Sequence, residues 1–308
     1  MIVAVVGPPG VGKTTLLKSL VRRYTKQTLN DVKGPVTVVS GKKRRLTFVE
    51  CNNDLNSMID IGKIADLVLL MIDGSFGFEM VCLQSRQAPF VSDVFQETFE
   101  FLNILQAHGF PKVIGILTHL DLIKKAATLR ATKKALKKRF WTEIYQGAKL
   151  FYLSGIMNGR YPDAEILNLS RFISVMKFRP LVFRNTHTYV LADRLDDLTS
   201  RELIRTSKGK CDRTVTVYGY VRGTNLRLGT KVHIPGVGDL EMKSVTLLAD
   251  PCPMPDTDSE KRRKLSEKKK LLIHAPMSDV GGMAYDKDAV WVNVPGSFTQ
   301  GNDDGKAS

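Results

Sequence analysis

The chain has 308 residues, 43% of them hydrophobic and 25% charged, the balance of a folded protein and not of a disordered one. No apolar run approaches the roughly 20 residues of a membrane-spanning helix, so no membrane partner is expected. Lys and Arg number 46 against 31 Asp and Glu, a formal net charge of +15, which suits a polyanionic partner, RNA foremost.

In chain order, Ile2–Val6 is an apolar run that reads as a buried strand. It leads straight into Gly7, Pro8, Pro9, Gly10, Val11, Gly12, Lys13 and Thr14, a complete G-x-x-x-x-G-K-[ST] phosphate loop, and a helical period opens at Thr15. In such a loop the backbone N–H groups curl around phosphates. Lys13 can then reach the β- and γ-phosphate oxygens, and the Thr14 hydroxyl can ligate Mg²⁺. The following helix turns its positive end toward the anion. A bound nucleoside triphosphate is the expectation.

Further strands are predicted at 36–40, 46–50, 67–72, 113–118 and 149–153. Helices are predicted near 56–65, from about Glu97, over 125–145 and over 164–176. Alternation of this kind predicts a mostly parallel sheet with helices on both faces, an α/β P-loop GTPase domain over residues 1–178. Within 125–145, Leu129, Leu136, Phe140 and Ile144 share one face, so the lysines between Lys124 and Arg139 project elsewhere. Other basic runs are 42–45 and 261–270, the latter also patterned like a nuclear localisation signal.

Beyond Pro180 the character changes. Short strand-like runs at 189–192, 214–220, 231–234, 244–248, 271–274 and 290–294 are punctuated by Gly and Pro, with no helix expected among them. An all-β, antiparallel barrel over 179–298 is the reading, with 256–270 as a loop and 299–308 as a disordered tail. Cys51, Cys82, Cys211 and Cys252 lack metal-ligand spacing, which fits a reducing compartment. His187 is read as structural.

The remaining motifs concern the base and the switch. Thr118-His119-Leu120-Asp121 stands where GTPases carry Asn-Lys-x-Asp. The Asp121 carboxylate can accept from guanine's ring N–H and exocyclic amine, a donor pair adenine lacks. His119 would lie over the base, and Ser154-Gly155 would bring a backbone N–H to O6. Thr37, in Gly34-Pro-Val-Thr, is the expected switch threonine on Mg²⁺. The run Glu50-Cys-Asn-Asn53-Asp54 replaces Asp-x-x-Gly and its catalytic neighbour. Glu50 could hold a Mg²⁺-bound water, and Asp54 takes the water-orienting position. An ionised Asp accepts from water but repels the transferring phosphoryl group, so hydrolysis assisted by Lys13, Thr37 and Asp54 is expected to be intrinsically slow.

Together these segments resemble the Bms-type ribosome-biogenesis GTPases of the Bms/Tsr family. The resemblance rests on the phosphate loop, Gly-Pro-Val-Thr-Val-Val-Ser-Gly, the run Ala65 to Gly74, Phe76-Gly-Phe-Glu-Met and Thr-His-Leu-Asp. Arg139-Phe-Trp-Thr-Glu-Ile-Tyr, Val175-Met-Lys-Phe-Arg-Pro and Asp279-Val-Gly-Gly add to it. The Tsr branch lacks an intact phosphate loop, so Lys13 and Thr14 favour Bms. The resemblance implies a nuclear, nucleolar switch of the small-subunit processome that binds GTP and GDP with Mg²⁺. It also implies a second domain like domain II of translational GTPases, and an N-terminal portion of a longer protein. Implied partners are pre-ribosomal RNA in a snoRNA-containing particle, other ribosomal assembly factors and an RNA-cyclase-like protein. Residues 81–96 interrupt a run that the family has continuous, and codons for Val81 and Gln96 can supply GT and AG, so the segment reads as a retained intron, with a real surface loop between strand and helix as the alternative. Two rival readings are a GTP-binding scaffold without turnover and a translation-factor-like GTPase. The second is opposed by Asp54 where histidine is usual. An ATPase or small-molecule kinase is opposed by Asp121.

Overall fold

The computed structural model describes residues 1–40, 44–75, 92–178, 181–254, 273–278, 280–281, 284–285 and 291–292. Strand and helix alternate through the first half: β1 (Ile2–Val6), α1 (Lys13–Thr25), β2 (Thr28–Leu29), β3 (Val36–Ser40), β4 (Arg44–Glu50), α2 (Leu55–Ile64), β5 (Leu67–Asp73), α3 (Ser92–His108), β6 (Lys112–Thr118), α4 (Ala126–Glu143), β7 (Leu150–Tyr152) and α5 (Asp163–Val175). In space β4, β1, β5, β6 and β7 lie side by side and pair in parallel. β1 and β5 are apolar along nearly their whole length because both faces of the sheet are covered.

Alternate residues of β1 feed two cores. Val3 and Val5 pack with Leu16, Leu17 and Leu20 of α1 and with Ile166, Leu169 and Ile173 of α5. Ile2, Ala4 and Val6 face the side covered by Met58 and Ile61 of α2, Phe101 and Leu105 of α3, and Leu136 and Phe140 of α4. Each of the larger side chains, fully buried, contributes about 1.5–3 kcal/mol, so the sheet is clamped from both sides. The expected α/β architecture, with helices on both faces, is what the chain forms.

The second half holds α6 (Val182–Thr186), β8 (Tyr189–Asp197), α7 (Arg201–Thr206), β9 (Val215–Arg222), β10 (Lys231–Ile234), β11 (Gly238–Glu241), β12 (Ile273–His274), β13 (Val280–Gly281), β14 (Ala284–Tyr285) and β15 (Trp291–Val292). β8 pairs with β9, β10 with β11 and β14 with β15, all antiparallel, and among the described residues these are separate ladders. Three sequence expectations need correction here. α6 and α7 are helices, too short for periodicity to reveal. Residues 244–248 join no ladder, and Val245, Leu247 and Leu248 stand exposed. Ile273–His274, read as part of the barrel, instead pairs antiparallel with β3 and extends the large sheet to seven strands. An edge strand offers unpaired amides and carbonyls to any segment that reaches it.

Polar contacts fasten this half to the sheet. Arg184 of α6 pairs with Asp66 at 2.8 Å, and that buried carboxylate also accepts from the Ile2 amide. Arg222 of β9 donates to Thr47 of β4, and Asp193 of β8 is paired with His274 of β12, both at 3.0 Å. In the basic run 42–45, Lys42 and Lys43 lie outside the described residues. Arg44 donates to the Met176 carbonyl, and Arg45 pairs with Asp250 and lies over the Tyr220 ring. These two arginines hold the fold together. His187 stacks on Phe183 with centroids 4.5 Å apart, in the structural role expected of it. The expectations for 81–91, 256–270 and 299–308 fall outside the described residues, and Gln96 lies within α3.

Candidate nucleotide-binding site

Val6, Glu50, Asp73 and Thr118 end β1, β4, β5 and β6, and Ser154 comes just after β7. The chain runs from β1 through α1 to β3 and β4 on one side and then crosses by α2 to β5 on the other, so the strand order reverses at β1. A crevice opens at such a switch point, outside the carboxyl ends of the strands.

At the phosphate end, Gly10 and Gly12 have φ of 77° and 93°, the left-handed region that side chains resist. Gly7 is required for another reason: a Cβ there would lie 2.8 Å from the Met71 carbonyl oxygen. Val11 is buried and pins the loop to the core, as Pro8 does, whereas Pro9 and Gly10 are exposed. The first turn of α1 has no acidic residue and no side-chain cap, which leaves its amides for an anion. Thr15 sits in that turn, its carbonyl accepting from Ser19.

Lys13 Nζ donates to the Gly7 carbonyl at 2.7 Å and to Asn53 Oδ1 at 2.6 Å. The first contact folds the lysine back over the loop, as phosphate binding needs. Thr14 Oγ1 donates to the Glu50 carboxylate at 2.8 Å. A hydroxyl and a carboxylate this close suit one hard divalent cation. Among the described residues no group of three or more His, Cys, Asp or Glu converges to hold a metal. Thr14 and Glu50 would therefore share Mg²⁺ with nucleotide oxygens and water.

At the base end, His119 adopts φ of 53° and its Nδ1 lies 2.8 Å from Asp73 Oδ2. Burial pushes the Asp73 carboxyl up, but hydrogen bonds from Ser75 and His119 outweigh it and hold the group below its usual value. Asp121 follows on a tight turn, exposed, with its carboxyl against Gly155: a Cβ on Gly155 would lie 2.9 Å from Asp121 Cγ. Those two residues, read separately from sequence, are brought together. Ser154 donates through both its amide and its hydroxyl to Glu165 of α5.

Three further expected residues are engaged by the strands and helix that carry them. Thr118 is fully buried, and its hydroxyl donates weakly, at 3.4 Å, to the Ile72 carbonyl. Thr37 is buried inside β3, its hydroxyl 3.2 Å from that of Thr47, with β4 and β12 paired on its two sides. Thr37 thus holds the strand position predicted for 36–40, a place that suits a β-branched residue. Asp54 is exposed at the start of α2, where its carbonyl accepts from the Met58 amide. Sequence reasoning passed over Asp73, Glu165 and the Asn53 side chain. Asp73 ends an apolar strand in an Asp-Gly pair, the one signal that marked it.

The AARP2CN (NUC121) domain family model matches residues 177–251. Ribosome biogenesis protein bms1 of Schizosaccharomyces pombe is 61% identical over 298 residues, which cover 96% of this chain and 25% of that protein. The pre-rRNA-processing protein TSR1 homolog of Xenopus laevis is 30% identical over 235 residues, covering 73% of this chain and 24% of its own. Translation elongation factor SelB of Methanococcus maripaludis, solved in complex with the GTP analogue GppNHp, superposes on 75% of this chain and 43% of its own with TM-score 0.49 and 16% identity. The chain spans about a quarter of the length of the curated relatives it matches.

Proposed function

The chain belongs to the Bms-type family of ribosome-biogenesis proteins, and from that premise we propose that it is a guanine-nucleotide switch acting in pre-rRNA processing and small-subunit assembly. One observation carries the nucleotide reading: Lys13, the Thr14–Glu50 pair and the Asp121–Gly155 pair all stand at the carboxyl ends of one parallel sheet. Phosphates would sit on the amides of residues 7–15 and on Lys13. Mg²⁺ would sit at Thr14 and Glu50, and guanine would lie between Asp121 and the Gly155 amide.

Turnover at this site would be slow. The attacking water needs an orienting group that tolerates the phosphoryl charge, and Asp54 brings a second negative charge instead. For Thr37 to reach Mg²⁺, the start of β3 would have to leave both β4 and β12. That rearrangement is the switch we propose, with pre-ribosomal RNA or an assembly factor as its trigger. The second half, 179–298, would be the barrel-type partner domain to the GTPase domain at 1–178. Family resemblance and the charge of +15 support a nucleolar site of action on a snoRNA-containing pre-ribosomal particle, with an RNA-cyclase-like protein among the partners.

Single-turnover hydrolysis of GTP by this chain should be very slow, of the order of an unassisted GTPase, about 10⁻⁴ s⁻¹. A rate near that of an activated GTPase would refute the assignment of Asp54. No release of phosphate at any nucleotide or magnesium concentration would favour the scaffold reading instead.

A further inference from the structure

Tyr161 lies between the two proposed anchors of the nucleotide, in the loop between Gly155 and α5. It is only 3% exposed and packs in the core that holds Val11 and Leu16. Its hydroxyl has no hydrogen-bond partner among the described residues. Buried hydroxyls are seldom left unpaired, so this one points to a ligand as its partner. It also abuts the phosphate loop, because a Cβ built on Gly12 would collide with it. Burial, and then the negative charges of Asp121 and Asp73, push the Tyr161 phenol up to about 12, so it is a donor throughout the physiological range.

In a guanosine nucleotide held at its Watson–Crick edge by Asp121 and at its phosphates by Lys13, the five-membered ring carries the ribose and would lie on the phosphate-loop side, toward Gly12. The acceptor on that ring is N7. Neighbouring side chains are committed elsewhere: the Thr118 hydroxyl donates to the Ile72 carbonyl, and His119 is paired through Nδ1 with Asp73. The α-phosphate oxygens would face the uncapped amides at the start of α1. We propose that the Tyr161 hydroxyl donates to guanine N7 and is a base-recognition residue of the site, an inference that rests on the guanine-nucleotide reading above. Gly12 is then constrained twice, by its φ of 93° and by the phenol laid against it.

The test is a titration of fluorescent GDP and of its 7-deaza analogue against the chain and its Tyr161→Phe variant, with Mg²⁺ present and thermal melting as the control for folding. Loss of one hydrogen bond should weaken GDP about tenfold in the variant, and the deaza change should weaken the unaltered chain similarly. The variant should then bind the deaza ligand no worse than the unaltered chain does. Unchanged GDP affinity in the variant overturns the proposal, as does an equal loss for both ligands. If the unaltered chain binds neither nucleotide, the guanine reading itself falls, which is a distinguishable failure.

Discussion

Guanine recognition comes down to which way hydrogen bonds point. Asp121 can only accept, which suits the two donors on guanine's edge. Xanthine replaces one of those donors with an acceptor, so Asp121→Asn should move preference from guanine to xanthine nucleotides, by about tenfold or more in relative affinity. Equal weakening toward both bases would mean that Asp121 only shapes its turn. Asn53 offers a second check. Its side chain holds Lys13 at 2.6 Å, so a γ-phosphate must displace it. Asn53→Gly removes that competitor and restores backbone freedom, and the ratio of GTP to GDP affinity should rise several-fold in paired titrations. A ratio that stays put would leave the Lys13–Asn53 hydrogen bond without consequence. Residue identity singled out Lys13, Thr14, Glu50, Asp121 and Gly155 as candidates, because each belongs to a motif whose chemistry is local. The part played by Asn53 depends on a partner far away in the chain, which no spacing pattern predicts.

Among the elements, α4 concentrates positive charge. Leu136 and Phe140 are buried, and Phe140 fills the space beside Gly115 of β6, where any Cβ would collide with its ring. That packing fixes which way the helix faces and leaves Arg130, Lys134 and Lys138 exposed, while Lys133 and Lys137 lie over the Tyr152 and Trp141 rings. If this face meets RNA phosphates, replacing Lys134 and Lys138 with Ala should weaken binding to duplex RNA. It should also flatten the dependence of log K on log salt by nearly one for each phosphate no longer neutralised. An unaltered slope would return these lysines to the role of a solvated face. Apolar runs and long helical periods made the parallel strands and α1–α5 legible to within a few residues. α6 was not, since five residues carry no period and its hold comes from Arg184 on Asp66. β12 was misplaced because pairing across such a sequence distance is chosen by an open sheet edge, not by its own two residues.

At the scale of the whole molecule, the nucleotide crevice and the fastening of the second half lie at opposite ends of β1. The phosphate loop follows Val6, whereas Asp66 grips the Ile2 amide and Arg184 at the other end. Arg184→Ala would strand that buried carboxylate, so stability should fall by roughly 2–3 kcal/mol in denaturant unfolding with nucleotide affinity nearly unchanged. A drop in nucleotide affinity without loss of stability would mean that the two ends are coupled. Guanine-nucleotide binding itself is tested most directly by calorimetric titration of the purified chain with GTP, GDP and ATP, with and without Mg²⁺, beside its Lys13→Ala variant. Both guanine nucleotides should bind saturably, more tightly with Mg²⁺ and not at all in the variant, with ATP at least about a hundredfold weaker. Tighter binding of ATP, or no heat from GTP even at high concentration, would contradict a guanine-nucleotide site at this loop.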